Sequence, residues 1–255
     1  MKRKLLCGLL AAAALCLPVH AARPASLQVD GKLLENSAYV EKGTTYVPLR
    51  GLLELLGGWE LSWDGEAASA ASPSMTLPVP VGDPQLLVNG YPVSCAPAFL
   101  QRGRTYVPLR RLAQLCGASV TWTSWQEPVE VALPPLEEDG DLYWLSRIIS
   151  AESRGESLLG QLAVGAVVLN RVESEAFPDS IYDVIFEYNG DWQFEPVENG
   201  SVYLEPTETS ILAARLCLSG VRVLEDCRYF FNPALSEGTW IVENRTYTTT
   251  IGCHQ

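Results

Sequence analysis

Glu152 and Glu156 stand four residues apart in Ala151-Glu152-Ser153-Arg154-Gly155-Glu156, directly after apolar residues at Leu142, Leu145, Ile148 and Ile149. Carboxyls are what this chain offers for proton transfer. Its two histidines are His20, near the start, and His254, the last residue but one. A Ser-His-Asp or Cys-His hydrolase, or an HExxH metallopeptidase, would have to route everything through His254. With no Cys-x-x-Cys and so few histidines, a structural zinc site is not expected either, and neither a metal nor a cofactor is assigned. Carboxylate acid–base chemistry remains. A carboxylic acid that keeps its proton near neutral pH must be partly desolvated by apolar neighbours, and a glutamate closing an apolar helix is placed for that. Gly155 interrupts the stretch between the two glutamates, so Glu156 is not read as a helical partner of Glu152. Its assigned role is structural or substrate-orienting.

The apolar residues of 142–149 recur at intervals of three and four, which predicts a helix opening at Asp139-Gly140-Asp141. Ser157 is a candidate cap for a second helix, Leu158 onward, finishing in Asn170-Arg171. That helix is apolar almost all round and is expected at the centre of its domain. A third runs from Pro206-Thr207-Glu208 to Gly220. The aromatic and β-branched stretches 227–231 and 239–251 read as short strands.

Several segments together carry a resemblance. They are Ala-Glu-Ser-Arg-Gly-Glu, Gly160 to Val172, Phe177-Pro178, Val184-Ile185-Phe186, Gln193-Phe194-Glu195-Pro196-Val197, Asn199-Gly200, Leu204-Glu205-Pro206, Tyr229 to Pro233 and Ile251 to His254. Over residues 142–255 the chain resembles the spore cortex-lytic and cell-wall hydrolase family. The resemblance implies a lysozyme-like α+β domain, activity as a lytic transglycosylase on peptidoglycan, and Glu152 as the catalytic glutamate. Such an enzyme needs no protein nucleophile, because the C6 hydroxyl of the muramic acid attacks the oxocarbenium-like carbon. For the cleft, Gln193, Phe194, Tyr229, Phe231 and Asn232 are nominated, with Trp240 weaker, since sugar sites combine aromatic faces with amide hydrogen bonds. The runner-up activity is a hydrolytic muramidase; an amidase comes third for want of zinc ligands, and a non-catalytic wall-binding protein is the alternative outside enzymes. Spore cortex and vegetative wall stay open as substrates, as does a regulatory protein partner.

The first half is a duplication. Gly43-Thr44-Thr45-Tyr46-Val47-Pro48-Leu49-Arg50 returns as Gly103-Arg104-Thr105-Tyr106-Val107-Pro108-Leu109-Arg110, seven of eight residues identical. Asp30-Gly31 and Asn89-Gly90, each between apolar residues, are two-residue hairpin signals. Each unit is expected as hairpin, helix, strand, the helices ending at Gly57-Gly58 and Gly117. Residues 27–133 resemble the stalk domain of the copper amine oxidase N-terminal type, which implies attachment to the wall or a plain spacer. Tyr46 and Leu49 are expected in the core, with Arg50 capping or pairing.

The resulting layout is a signal peptide over 1–21, stalk repeats at 27–73 and 85–133, a linker at 134–140 and a catalytic domain over 141–255. Lys2, Arg3 and Lys4 precede a 13-residue apolar run, Leu5 to Leu17, and Val19-His20-Ala21 offers a cleavage site. The expected location is therefore secreted and extracytoplasmic. Without the signal, 15 basic residues face 30 acidic ones, a net charge of −15, which repels nucleic acid and anionic membranes. The expected partner is the glycan strand of peptidoglycan. Cys95–Cys116 and Cys217–Cys227 are open as disulfides or as free thiols, and Cys253 is left over.

Overall fold

The computed structural model describes residues 22–133 and 140–230. The expected signal peptide, Phe231, Asn232, Trp240, Cys253 and His254 lie outside the described residues. The chain is mixed α+β, with a β-rich first half and a helical second half.

The first half runs β1 (Arg23–Val29), β2 (Lys32–Glu41), β3 (Thr44–Pro48), α1 (Leu49–Leu56), β4 (Glu60–Trp63), β5 (Ala68–Ala71) and β6 (Thr76–Val79). It continues β7 (Gln85–Val88), β8 (Tyr91–Ser94), β9 (Phe99–Gln101), β10 (Arg104–Pro108), α2 (Leu109–Leu115), β11 (Ser119–Thr121) and β12 (Val129–Ala132). Asp30-Gly31, Lys42-Gly43, Asn89-Gly90 and Arg102-Gly103 all have positive φ at both residues. Tight turns of this hand match the twist of the strands they join, and glycine takes the second position without steric cost. The duplicated motif thus begins inside a hairpin turn.

Tyr-Val-Pro is itself a strand in each repeat, which the hairpin-helix-strand pattern did not anticipate. The reason is the pairing of the two copies. β3 and β10 run antiparallel, with Val47 opposite Val107 and Tyr46 and Pro48 opposite Pro108 and Tyr106. The same short sequence meets itself about a local two-fold. Tyr46, Phe99 and Tyr106 pack around this seam at ring separations of 5.0 and 5.2 Å. The full sheet has the order β11-β12-β1-β2-β3-β10-β9, and β12 pairs parallel to β1. Residues 73–84, which lie between the two repeats, contain β6, which completes a three-stranded sheet with β4 and β5. Asn89 in the β7–β8 turn accepts from the Thr76 N–H at 2.6 Å and fastens that strand.

The second half contains α3 (Asp141–Ser153), α4 (Leu158–Val172), α5 (Ile181–Ile185), α6 (Glu195–Glu198), a 3-10 turn at Ser201–Tyr203, and α7 (Glu208–Leu218). Ser157 caps α4 through its side chain, and Thr207 caps α7. α4 is buried along most of its length between α3 and α7. Gly165 permits that approach, since a Cβ there would lie 2.7 Å from Cys217 Sγ and 2.9 Å from Ile149 Cδ1. Residues 227–230 form no strand, and the carbonyls of Cys227 and Arg228 bond to side chains of α4. Cys95, Cys116, Cys217 and Cys227 are free thiols. No helix among the described residues is long and apolar enough to cross a membrane.

Candidate active site

Glu152 occupies the last turn of α3, and the helix stops at Ser153 with Arg154 as its C-cap. Its pKa is raised from 4.5 to about 7: burial is the largest cause, the carboxylate of Glu195, on α6, adds to it, and the Arg171 guanidinium opposes both. The first cause is loss of water around the charged form, which disfavours ionisation. A glutamate tuned in this way is half protonated near neutral pH, and it can give a proton and take it back.

Three side chains on another face of α3 hold the chain that precedes α7. Arg147 lies under the Tyr143 ring at 4.0 Å and donates to Glu205 Oε1 at 2.8 Å. Arg154 donates to the Glu205 carbonyl at 3.2 Å, and Ser150 Oγ accepts from the Thr207 N–H at 3.3 Å. The loop after Glu152 is fixed from α4: Gln161 donates to the Glu156 carbonyl at 3.0 Å and accepts from Ser210 Oγ at 2.8 Å. Ser210 in turn meets Thr207 Oγ1 at 2.7 Å. A buried chain of hydrogen bonds therefore connects the end of α3, the start of α4 and the start of α7, and such networks specify geometry when every member is satisfied. Glu156 enters it through its backbone.

Arg171 organises a second buried cluster. It is 4% exposed although charged, and Phe177, Phe194 and Tyr229 surround its guanidinium at 5.2, 5.0 and 5.3 Å. Its Nε donates to the Arg228 carbonyl at 2.8 Å, while Asn170 donates to the Leu224 and Cys227 carbonyls at 3.2 and 2.9 Å. Burial lowers the pKa of Arg171, offset by Tyr229, Glu187 and Glu152. Of the nominated cleft residues, Gln193 is half-buried and closes a turn by donating its N–H to the Glu187 carbonyl at 3.3 Å. Phe194 is 2% exposed, so its ring packs on Arg171 and has no free face for a sugar. Tyr229 shares the Arg171 cluster and keeps an exposed surface. Phe231 and Asn232 lie outside the described residues.

Two contributors, Glu195 and Arg171, are not among the residues nominated from the sequence. Glu195 was legible only as part of Gln193-Phe194-Glu195-Pro196-Val197, and its effect on Glu152 depends on how α6 docks. Arg171 carried a stronger signal: a cation in a helix apolar all round must be buried, and a buried cation needs partners. Among the described residues no group of three His, Cys, Asp or Glu side chains is placed to hold a metal.

Residues 155–255 match the family model described as Cell Wall Hydrolase, and residues 28–131 match that of the Copper amine oxidase N-terminal domain. The chain carries a cell wall hydrolase domain. The match begins at Gly155, just beyond Glu152. The spore cortex-lytic enzyme of Bacillus subtilis is 35% identical over 116 residues, 46% of this chain and 37% of that protein. The spore cortex-lytic enzyme of Bacillus cereus is 40% identical over 101 residues, 40% of this chain and 38% of that protein. The chain thus spans little more than a third of the length of these relatives. A solved structure, the catalytic domain of the germination-specific lytic transglycosylase SleB from Bacillus anthracis, is 37% identical, covering 43% of this chain and 88% of that one, with a TM-score of 0.38. In this chain the segment matching the cell wall hydrolase model follows the duplicated stalk that matches the Copper amine oxidase N-terminal domain.

Proposed function

We propose that this chain is an exported peptidoglycan-degrading enzyme in which Glu152 is the general acid of a lytic transglycosylase. The observation that carries the reading is the desolvated Glu152, with its pKa near 7 at the end of a helix whose surroundings are fixed by buried hydrogen bonds. Its support from relatives is that those matching the second half are named spore cortex-lytic enzymes. In the proposed step, the Glu152 carboxyl proton passes to the glycosidic oxygen and the bond to the muramic acid C1 breaks. The C6 hydroxyl of the same sugar then bonds to C1, and its proton returns to the Glu152 carboxylate. A 1,6-anhydro end forms and no water is consumed. Arg171 stabilises the transient carboxylate. Glu156 orients the loop, and Gln193 and Tyr229 bind sugar; Phe231 and Asn232 are proposed beside them from the sequence alone.

Glu195 supports a second reading. A further carboxylate acting on Glu152 is what a hydrolytic muramidase uses to activate water, which would leave a reducing muramic acid end. The proposed layout remains a cleaved signal over 1–21, stalk repeats at 27–73 and 85–133, a linker at 134–140 and a catalytic domain over 141–255, acting outside the cytoplasm, with spore cortex lysis in germination as the finer proposal.

Mass spectrometry of the soluble muropeptides released from purified peptidoglycan by the full chain and by its Glu152→Gln variant tests this. Anhydromuramic products from the wild type alone are expected. Reducing ends favour the second reading, and equal release by the variant removes Glu152 from the mechanism.

A further inference from the structure

The loop between β11 and β12 departs from its counterpart in the first repeat. Trp63 and Trp122 close the two units, but the segments beyond them differ. After Trp63, the Asp64 carboxylate accepts the N–H groups of Glu66 and Ala67 at 2.8 Å each, and the chain turns at once into β5. After Trp122 comes Thr123-Ser124-Trp125-Gln126-Glu127, and Trp125 has no equivalent in the first repeat. Residues shared by the repeats serve their common fold; this one does not.

Trp125 is 51% exposed and stands nearly perpendicular to Trp122, with ring centroids 5.0 Å apart. The Arg23 guanidinium lies 5.3 Å from its ring centre and steadies it. Beside the pair opens a cavity of about 350 Å³ between this loop and the β1–β2 ribbon, with Ser26, Glu35, Gln126 and Glu127 among its lining residues. That volume falls at the lower end of the roughly 300–1,000 Å³ usual for ligand sites. Its floor carries the register break of β1 against β2 between Ala25 and Leu27, a bulge of the kind found where a strand is bent to present a side chain.

We propose that this groove is a second, non-catalytic glycan site, in which a pyranose ring of the peptidoglycan strand stacks on Trp125 and its hydroxyl and amide groups bond to Gln126, Glu127 and Glu35. An aromatic face with carboxylate and carboxamide neighbours suits a neutral sugar, and the two glutamates turn away phosphate-bearing wall polymers. The assignment rests on the peptidoglycan reading of the second half, and it makes the stalk a substrate-holding element rather than a spacer.

The test uses the full chain carrying Glu152→Gln, so that the polymer stays intact, in sedimentation with insoluble peptidoglycan. Adding Trp125→Ala should weaken retention about tenfold, the scale of a single exposed tryptophan anchor. Trp125→Phe should restore most of it. Chitotetraose is the soluble probe, and it should alter tryptophan fluorescence with Trp125 present and lose that effect in Trp125→Ala. Unchanged retention of Trp125→Ala overturns the site. Loss of retention with no fluorescence response to chitotetraose overturns the sugar as its ligand. Turnover of soluble glycan fragments by the chain with Glu152 intact is read separately, and an unchanged thermal melt of the first half certifies that Trp125→Ala is folded. An inactive wild type counts against the catalytic reading and leaves the sedimentation result standing.

Discussion

The two halves of the chain bury different things. Of the nine buried polar or charged side chains among the described residues, Thr105 alone lies in the first half; Ser146, Arg147, Ser150, Ser153, Gln161, Asn170, Arg171 and Ser210 lie in the second. The first half is held by turns with positive φ, strand pairing and a core of leucine, valine and alanine. The second half accepts the desolvation cost of buried hydrogen-bonding groups and offsets much of it with partners, although Arg147 Nε and Nη1 and Arg171 Nη1 find none among the described residues. Stability of the first half therefore depends on volume, whereas the order of the second half depends on connectivity.

The largest expected effect tests the first side of that contrast. Leu112 on α2 is fully buried, and Leu112→Ala should cost about 2–5 kcal/mol in urea unfolding of the first half. Turnover of soluble glycan fragments should be unchanged at temperatures where the variant is folded. A parallel loss of turnover would mean that the halves do not fold separately.

Glu152→Gln should do the reverse. Turnover should fall by roughly 100-fold or more, about 2.7 kcal/mol on the barrier, with the stalk unaffected. Wild-type activity should also fall as pH rises through about 7, where the acid loses its proton. The same shift sets the sign of the effect on stability. The folded-state pKa, about 7, lies above the ordinary glutamate value of 4.5, so the folded chain binds this proton more tightly than the unfolded chain does. That contribution is fully present below about pH 4.5 and is lost as pH rises through 7. The melting temperature of the wild type should drop relative to Glu152→Gln between about pH 5 and 8; parallel curves would place the carboxyl in water.

A smaller effect is expected from the network. Gln161→Leu removes the donor to the Glu156 carbonyl and one of the two partners of the Ser210 hydroxyl, which keeps Thr207 Oγ1; leaving the carbonyl unsatisfied costs about 1–3 kcal/mol. Because the loop after Glu152 is released, kcat should fall more than KM rises. A loss of stability with unchanged kcat would show that the network supports the fold and not the site.

The contrast also explains what the sequence made legible. Helices α3, α4 and α7 arise from apolar spacing with Ser157 and Thr207 as caps, and the Asp30-Gly31 and Asn89-Gly90 hairpins from turn chemistry, because both signals are local. The pairing of β3 with β10, the parallel return of β12 onto β1 and the approach of Glu195 to Glu152 were hidden, because they join residues far apart in sequence. Cys227 to Phe230 misled for a related reason. Their composition suits a strand, but the Asn170 and Arg171 side chains bond the Cys227 and Arg228 carbonyls instead. Phe194 belongs with them: an aromatic residue beside Gln193 suggests a sugar platform until a buried cation is found against its face.

The smallest effect concerns the residue whose repetition is most easily mistaken for function. Arg50 and Arg110 end the duplicated motif, and paired arginines invite a wall-binding role. Arg50 lies 3.8 Å from Glu54 one helical turn on, with both side chains largely exposed at 71% and 60%, and Arg110 reaches the Val120 carbonyl at 3.5 Å. An exposed pair of this spacing contributes about 0–0.5 kcal/mol, and salt screens it. Arg50→Ala should therefore leave unfolding within about 0.5 kcal/mol of wild type and leave peptidoglycan retention unchanged. The same retention assay on Trp125→Ala gives the opposite expectation. If Arg50→Ala released the chain from the wall and Trp125→Ala did not, binding would belong to what the repeats share, and the distinction between repeated scaffold and unrepeated site would fail.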